Sequence, residues 1–238
     1  MGKVILIASG KGGVGKTVFT ANAGAALADM GKKVVLIDMN MGLRNLDLYL
    51  GLENKVVYDV ADVMTGICRI KQALIRDRRF PELYLMAAPQ NREKSDITPL
   101  HMKVLCDKLR KNFDYIIVDA PAGIDDDLFI AAAGADSAVI ITVPEHAAVR
   151  DADALDRKLL KIGIKDRTYV VNKVQADLIN TGLVPSLAEI ADIMRPRIAG
   201  IIQYDRNIHV AANNGLPITY KKGNYIEKNF NNIVNRII

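Results

Sequence analysis

Residues 9–17 read Ser-Gly-Lys-Gly-Gly-Val-Gly-Lys-Thr, a lysine and a hydroxyl closing a run of glycines. Gly10, Gly15, Lys16 and Thr17 satisfy G-x-x-x-x-G-K-[ST], with an apolar run before the loop and a helical pattern after it. That spacing suits a polyphosphate. Gly10, Gly12, Gly13 and Gly15, with Val14 among them, let successive backbone N–H groups turn inward, and the helix N-terminus adds its positive dipole end. Lys16 is then placed to reach the β- and γ-phosphates, and the Thr17 hydroxyl to ligate Mg2+. Lys11 occupies a position that the pattern leaves free. It is either a second cation for a phosphate, such as one in a partner subunit, or a solvated surface lysine, and spacing alone does not separate the two.

Two carboxylates end apolar runs in the same way, Asp38 after VVLID and Asp119 after YIIVD. An acid at the end of a strand beside such a loop is suited to hold Mg2+ through water. Each could instead cap the following helix. Asn40 follows two residues after Asp38 and carries an amide beside these acids.

The elements that must position these groups are legible from hydropathy. Continuous, β-branched apolar runs at 3–8, 34–38, 83–87, 115–119, 138–143, 168–172 and 198–203 predict strands buried on both faces. Helix-length segments alternate with them, such as 17–30 followed by Gly31 as a C′ residue. The expected fold is α/β, a mostly parallel twisted sheet of about seven to eight strands with helices on both faces, in a single domain over 1–238. In such sheets ligands bind beyond the carboxyl ends of the strands, where the residues named above fall.

Composition excludes little more. The chain has 238 residues, 50% hydrophobic and 25% charged, and no apolar run long enough for a membrane span. Its start lacks the apolar region and cleavage site of a signal peptide, which points to the cytoplasm. Cys68 and Cys106 have no metal-ligand spacing and read as small buried hydrophobes. His101, His146 and His209 are scattered and read as surface or satisfied histidines. The net charge of +5 is too modest to decide for nucleic acid. The basic run 69–79 reads as an amphipathic helix with a solvated face, and Asp125–Asp127 as a helix start.

KGGVGKT with its extra lysine resembles the deviant Walker A ATPases, among them the MinD, ParA and nitrogenase iron-protein groups. Within that family GLRNLDL (42–48), VVYDV (56–60), QALI-x-D (72–77), D-x-PAGI (119–124) and PE-x3-VRDAD (144–153) are most similar to the MinD branch. Plasmid-partition relatives diverge after Asp38, and flagellum-numbering relatives tend to carry a small residue where Arg44 stands. The resemblance implies an ATP hydrolase acting as an ATP-dependent dimeric switch in placing the bacterial division site, with ATP and Mg2+ as cofactors. Lys11 would cross the dimer interface to the partner's nucleotide. Asn172 would contact adenine, and Gln203, Tyr204 and Asp205 would close over the base. The partners implied are a MinC-like division inhibitor and a MinE-like or other topological regulator, with nucleic acid disfavoured.

Four departures qualify this expectation. Asn40 stands where the family has a second aspartate that helps to position the attacking water; an amide is a poor proton acceptor, so hydrolysis is expected to be slow. A recruitment scaffold with little hydrolysis, and a ParA-like cargo-positioning ATPase, are the alternative readings. Val18 replaces a hydroxyl that commonly touches the α-phosphate, a loss of ~1 kcal/mol in binding. Gln203 replaces a usual proline. Finally, residues 225–238 carry an apolar stripe that aligns with the family's last core helix, and the amphipathic membrane helix expected beyond it is not found in these residues. Contact with the inner face of the membrane is therefore expected through a partner or a further tail.

Overall fold

The computed structural model describes residues 1–90 and 97–238. Eight strands form one sheet: β1 (Lys3–Ser9), β2 (Val34–Asp38), β3 (Ile75–Arg76), β4 (Leu83–Met86), β5 (Tyr115–Ala122), β6 (Ser137–Thr142), β7 (Asp166–Val174) and β8 (Arg197–Gln203). Their order is β3-β4-β2-β5-β1-β6-β7-β8. Every pairing is parallel except β3 with β4. The chain leaves central β1 for one side of the sheet and later returns to the other. The loop after β1 therefore sits at the reversal point, where crevices form in such folds.

Alternation along β1 explains the two layers. Val4, Leu6 and Ala8 enter one core, and Ile5 and Ile7 enter the other. The first core is covered by α5 (Pro99–Leu109), α6 (Asp126–Ala132) and α7 (His146–Lys161), through residues such as Met102, Leu128, Val149 and Leu155. The second is covered by α1 (Lys16–Asp29) and α11 (Tyr225–Ile237). Continuous apolar strands are thus what burial on both faces requires.

Helix α1 reads KTVFTANAGAALAD and has no solvated face; ten of its residues from Phe19 to Ala28 are buried. It packs on the sheet and, along another side, against α11, which itself lies on β8. Gly24 permits the close approach, since a Cβ there would stand 2.6 Å from a methyl of Leu36. Outside it, Phe230 meets Phe19 with ring centroids 5.9 Å apart, and the Asn22 carboxamide oxygen accepts the N–H of Thr219 at 3.2 Å. Gly31, at φ +76°, ends the helix as the sequence indicates.

The stripe on α11 is core. Ile226, Phe230, Ile233 and Val234 are buried against α1 and the sheet. Among the described residues no helix is long and apolar enough to cross a membrane. Cys68 and Cys106 are both buried thiols, and burial pushes Cys106 up to about 12.

The basic run 69–79 departs from expectation. Only one turn is helical, α4 (Ile70–Ala73), and the chain then extends into β3, with Ile75 opposite Leu85 and Arg76 opposite Tyr84. A β-branched residue beside an open sheet edge gains a ladder and a place in the second core, which outweighs helix propensity. The remaining helices are α2 (Leu46–Tyr49), α3 (Val60–Met64), α8 (Ala176–Asn180), α9 (Leu187–Ile193) and α10 (Arg206–Asn213).

Truncating Phe230 to Ala should cost about 3–5 kcal/mol of unfolding free energy in urea, because a fully buried ring packed on Phe19 is lost from the second core. A loss below about 1 kcal/mol would contradict the core role of α11.

Candidate nucleotide site

The loop between β1 and α1 is shaped by close approaches. Gly10 runs against the backbone of α7: a Cβ there would lie 2.4 Å from the Asp151 carbonyl oxygen. Gly15 is left-handed at φ +93°, and a Cβ would meet the Asn172 amide at 2.3 Å. That amide donates to the Val14 carbonyl at 2.8 Å, and the Lys173 ammonium donates to the Gly13 carbonyl at 2.7 Å. Two of the loop's carbonyls are thus held by side chains of β7, which leaves its N–H groups available to an anion in the cavity that the loop borders.

That cavity has a volume of about 610 Å³. Of the residues singled out from sequence, Gly12, Gly13, Val14, Gly15, Lys16, Thr17, Val18, Asn40, Asn172, Gln203, Tyr204 and Asp205 line it. Four others do not. Gly10 is packed beneath α7, and Asp38 and Asp119 lie behind the wall at 0% exposure. Lys11 points elsewhere, its ammonium 2.6 Å from Glu145 on the surface.

Asp119 is the hub of the wall. One oxygen accepts from the Lys16 ammonium at 2.9 Å and the Thr20 hydroxyl at 2.9 Å. The other accepts from the Thr17 hydroxyl at 2.7 Å and the Asn40 amide at 3.3 Å. Lys16 is itself only 6% exposed, so a full ion pair is buried and every lone pair has a donor. Asp38, opposite Asp119 in the β2–β5 register, accepts the backbone N–H groups of Asn40 at 2.8 Å, Leu46 at 3.1 Å and Asn45 at 3.2 Å. Burial, and then the charge of Asp119, push Asp38 up to about 7 against these bonds.

The residues present fit an anion and a hard cation. Thr17 and Asp119 supply two adjoining oxygens, and among the described residues no group of three or more His, Cys, Asp or Glu could hold a metal by itself. Mg2+ normally takes one or two protein oxygens and completes its shell with water and phosphate.

Several contributors escaped the sequence reading. Thr20 lies one turn beyond Thr17 on the same face of α1, a spacing that could have revealed it. Tyr49, Ile208, His209 and Asn213 come from α2 and α10 and are joined to the loop only by the fold. His209 is on the surface as expected, yet it borders the cavity. The Asp205 carboxylate caps α10 by accepting from Asn207 at 2.7 Å and also takes the Tyr225 hydroxyl, which holds it below its usual range.

A glycine-rich loop after a central strand, a buried lysine and paired strand-end acids define a P-loop nucleotide-binding protein. The family model for the CobQ/CobB/MinD/ParA nucleotide binding domain matches residues 5–218, and the chain belongs to that family. It is 42% identical to the septum site-determining protein MinD of Bacillus subtilis, over 100% of this chain and 90% of that one. With the Synechocystis MinD it shares 44% identity, over 93% and 84%. Among solved structures it is similar to the Aquifex aeolicus MinC:MinD cell division protein complex (TM-score 0.91, 38% identity, 98% of this chain and 94% of that one). It is also similar to the Pyrococcus horikoshii MinD complexed with Mg-ADP (TM-score 0.88, 27% identity, 98% and 95%).

Replacing Thr20 by Val keeps its shape but leaves Asp119 one donor short. The change should lower unfolding free energy by about 1.5–3 kcal/mol in urea, the usual cost of a lost hydrogen bond to a charged group. An unchanged midpoint would show that Asp119 does not need this donor.

Proposed function

We propose that this chain is a MinD-like ATPase, an ATP-dependent dimeric switch for placing the bacterial division site, that hydrolyses ATP to ADP and phosphate slowly. The observation that carries this reading is the division of labour between two lysines of one loop. Lys16 is buried on Asp119 and faces the cavity, whereas Lys11 stands outside it, 43% exposed and paired with surface Glu145. A lysine so placed serves its own phosphates poorly and is positioned to reach another subunit's. The identity with MinD proteins and the likeness to the MinD of a MinC:MinD complex support the same assignment, including a MinC-like partner. A MinE-like regulator and peripheral membrane contact rest on the resemblance in sequence alone.

The likeness to a MinD holding Mg-ADP supports Mg2+ and an adenine nucleotide as ligands. Mg2+ would supply charge neutralisation at the phosphates. The chain's own groups do the rest. A polyphosphate offers Lys16 a stronger partner than Asp119, freeing Asp119 and the Thr17 hydroxyl to hold the metal directly or through water. Asp38, bonded to three amides, fixes the segment that carries Asn40, so its role is to hold the loop as much as to lend charge. Asn40 can orient a water but takes a proton poorly, which leaves the reaction to positioning and to the charges of Lys11 and Lys16. A recruitment scaffold with little turnover is the second reading, and Asn40 is the observation that favours it.

Sedimentation with ATP and with ADP, run beside phosphate release, tests both. The expected result is a dimer with ATP only and slow release, rising about tenfold or more in Asn40→Asp. A monomer with either nucleotide would overturn the switch. Brisk and equal rates in the two proteins would sink the role given to Asn40. The substitution sets a second carboxylate beside Asp119 where the amide now donates, so the variant should also be less stable without Mg2+.

A further inference from the structure

Arg79 touches none of the cavity, yet it joins both of its outer walls. Its guanidinium meets buried Asp77 as a two-pronged pair, Nε at 3.0 Å from one oxygen and Nη2 at 2.7 Å from the other. The same Nη2 donates to the Leu50 carbonyl, at the end of α2, and Nη1 donates at 2.9 Å to the Gly215 carbonyl, beyond the end of α10. At this point two backbones cross. Gly51 and Gly215 are both left-handed, at φ +57° and +62°, and a Cβ on Gly215 would lie 2.7 Å from the Gly51 Cα. Asp77 is itself fixed, its N–H donating to the Leu83 carbonyl at 2.9 Å.

The starts of the two helices are tied to acids at the site. Helix α2 begins on the Asp38 carboxylate through the N–H groups of Asn45 and Leu46, and α10 begins on Asp205. Tyr49 and Asn213, the last residues of these helices and next to the clamp, line the cavity. None of the residues of α10 is fully buried, so packing alone holds it weakly and its tethers decide where it lies. Arg79 is the tether at the far end.

We infer that Arg79 is a positioning residue that sets the distance between the α2 wall and the α10 wall, and thereby the fit of the nucleoside part of the ligand. The inference rests on the nucleotide-binding reading of the cavity. The phosphate loop has its own supports in Asn172, Lys173 and Asp151, and none of them passes through Arg79. Loss of the clamp should therefore act on the nucleoside and spare the phosphates. Lysine cannot replace it, since one ammonium cannot span a carboxylate and two divergent carbonyls in a planar fork.

Binding of Mg-ADP and of Mg2+ with inorganic tripolyphosphate is measured by calorimetry for the unmutated chain, Arg79→Lys, Arg79→Met and Arg167→Lys. Arg167 is a control: it forms a comparably buried pair with Asp156 at 2.5 Å, away from the cavity. The expected result is ADP affinity reduced about tenfold in Arg79→Lys and further in Arg79→Met, with tripolyphosphate affinity changed less than about twofold. Arg167→Lys should lower the unfolding midpoint yet leave both affinities within about twofold. Unchanged ADP affinity in both Arg79 variants, or an equal loss of ADP and tripolyphosphate, would overturn the inference. If the unmutated chain bound neither ligand, the nucleotide reading and this inference would fall together, a result visible without any variant.

Discussion

The ion pair between Lys16 and Asp119 is the constraint around which this protein is arranged. A carboxylate with no exposure at the end of a central strand is expensive unless its oxygens are fully supplied with donors. Four side chains converge to supply them, and they come from both sides of the site: Lys16, Thr17 and Thr20 from α1, and Asn40 from the loop after β2. Meeting that requirement fixes the rotation of α1 about its axis and the position of the β2 loop together. The groups around the cavity are consequently held in register by an interaction that also satisfies the fold. A phosphate competing for Lys16 disturbs the fold's own pairing, which gives ligand binding a direct route to the surrounding loops.

Two further supports of the loop are of a different kind, and both depend on missing side-chain atoms. At Gly10 the chain passes against the backbone of α7, and at Gly15 against the amide of Asn172. Neither neighbour is the flexible end of a long side chain. The loop is thus located by steric contact on two sides and by charge in the middle, so its amides need little rearrangement to meet an anion.

Much of this was legible in the residues themselves. The loop, its strand and its helix are local in sequence, and the strand-end acids follow from continuous apolar runs that only a sheet buried on both faces would carry. The stripe of α11 was also readable as core, since its other face is polar but nearly uncharged. What could not be read depends on distant partners. The basic run ending at Arg79 looks like a solvated helix until the sheet edge beside Leu83–Met86 is known, because nothing nearby announces that Ile75 will pair. Arg79 itself bonds a carbonyl 136 residues away, and its role has no local pattern. The same holds for α10, whose approach to the cavity is set by tertiary contacts.

The burial of α1 on all sides has a consequence for the order in which the protein is made. Its outer surface is closed by Thr219, Ile226 and Phe230, which leave the ribosome about 200 residues after Lys16. At roughly 5–20 residues per second, the helix carrying Lys16 waits on the order of ten to forty seconds for its cover. During that interval the side of α1 that Phe230 and its neighbours will cover is bare. The nascent chain thus exposes an apolar helix over that interval, and the nucleotide loop is synthesised well before the cover of the helix that carries it.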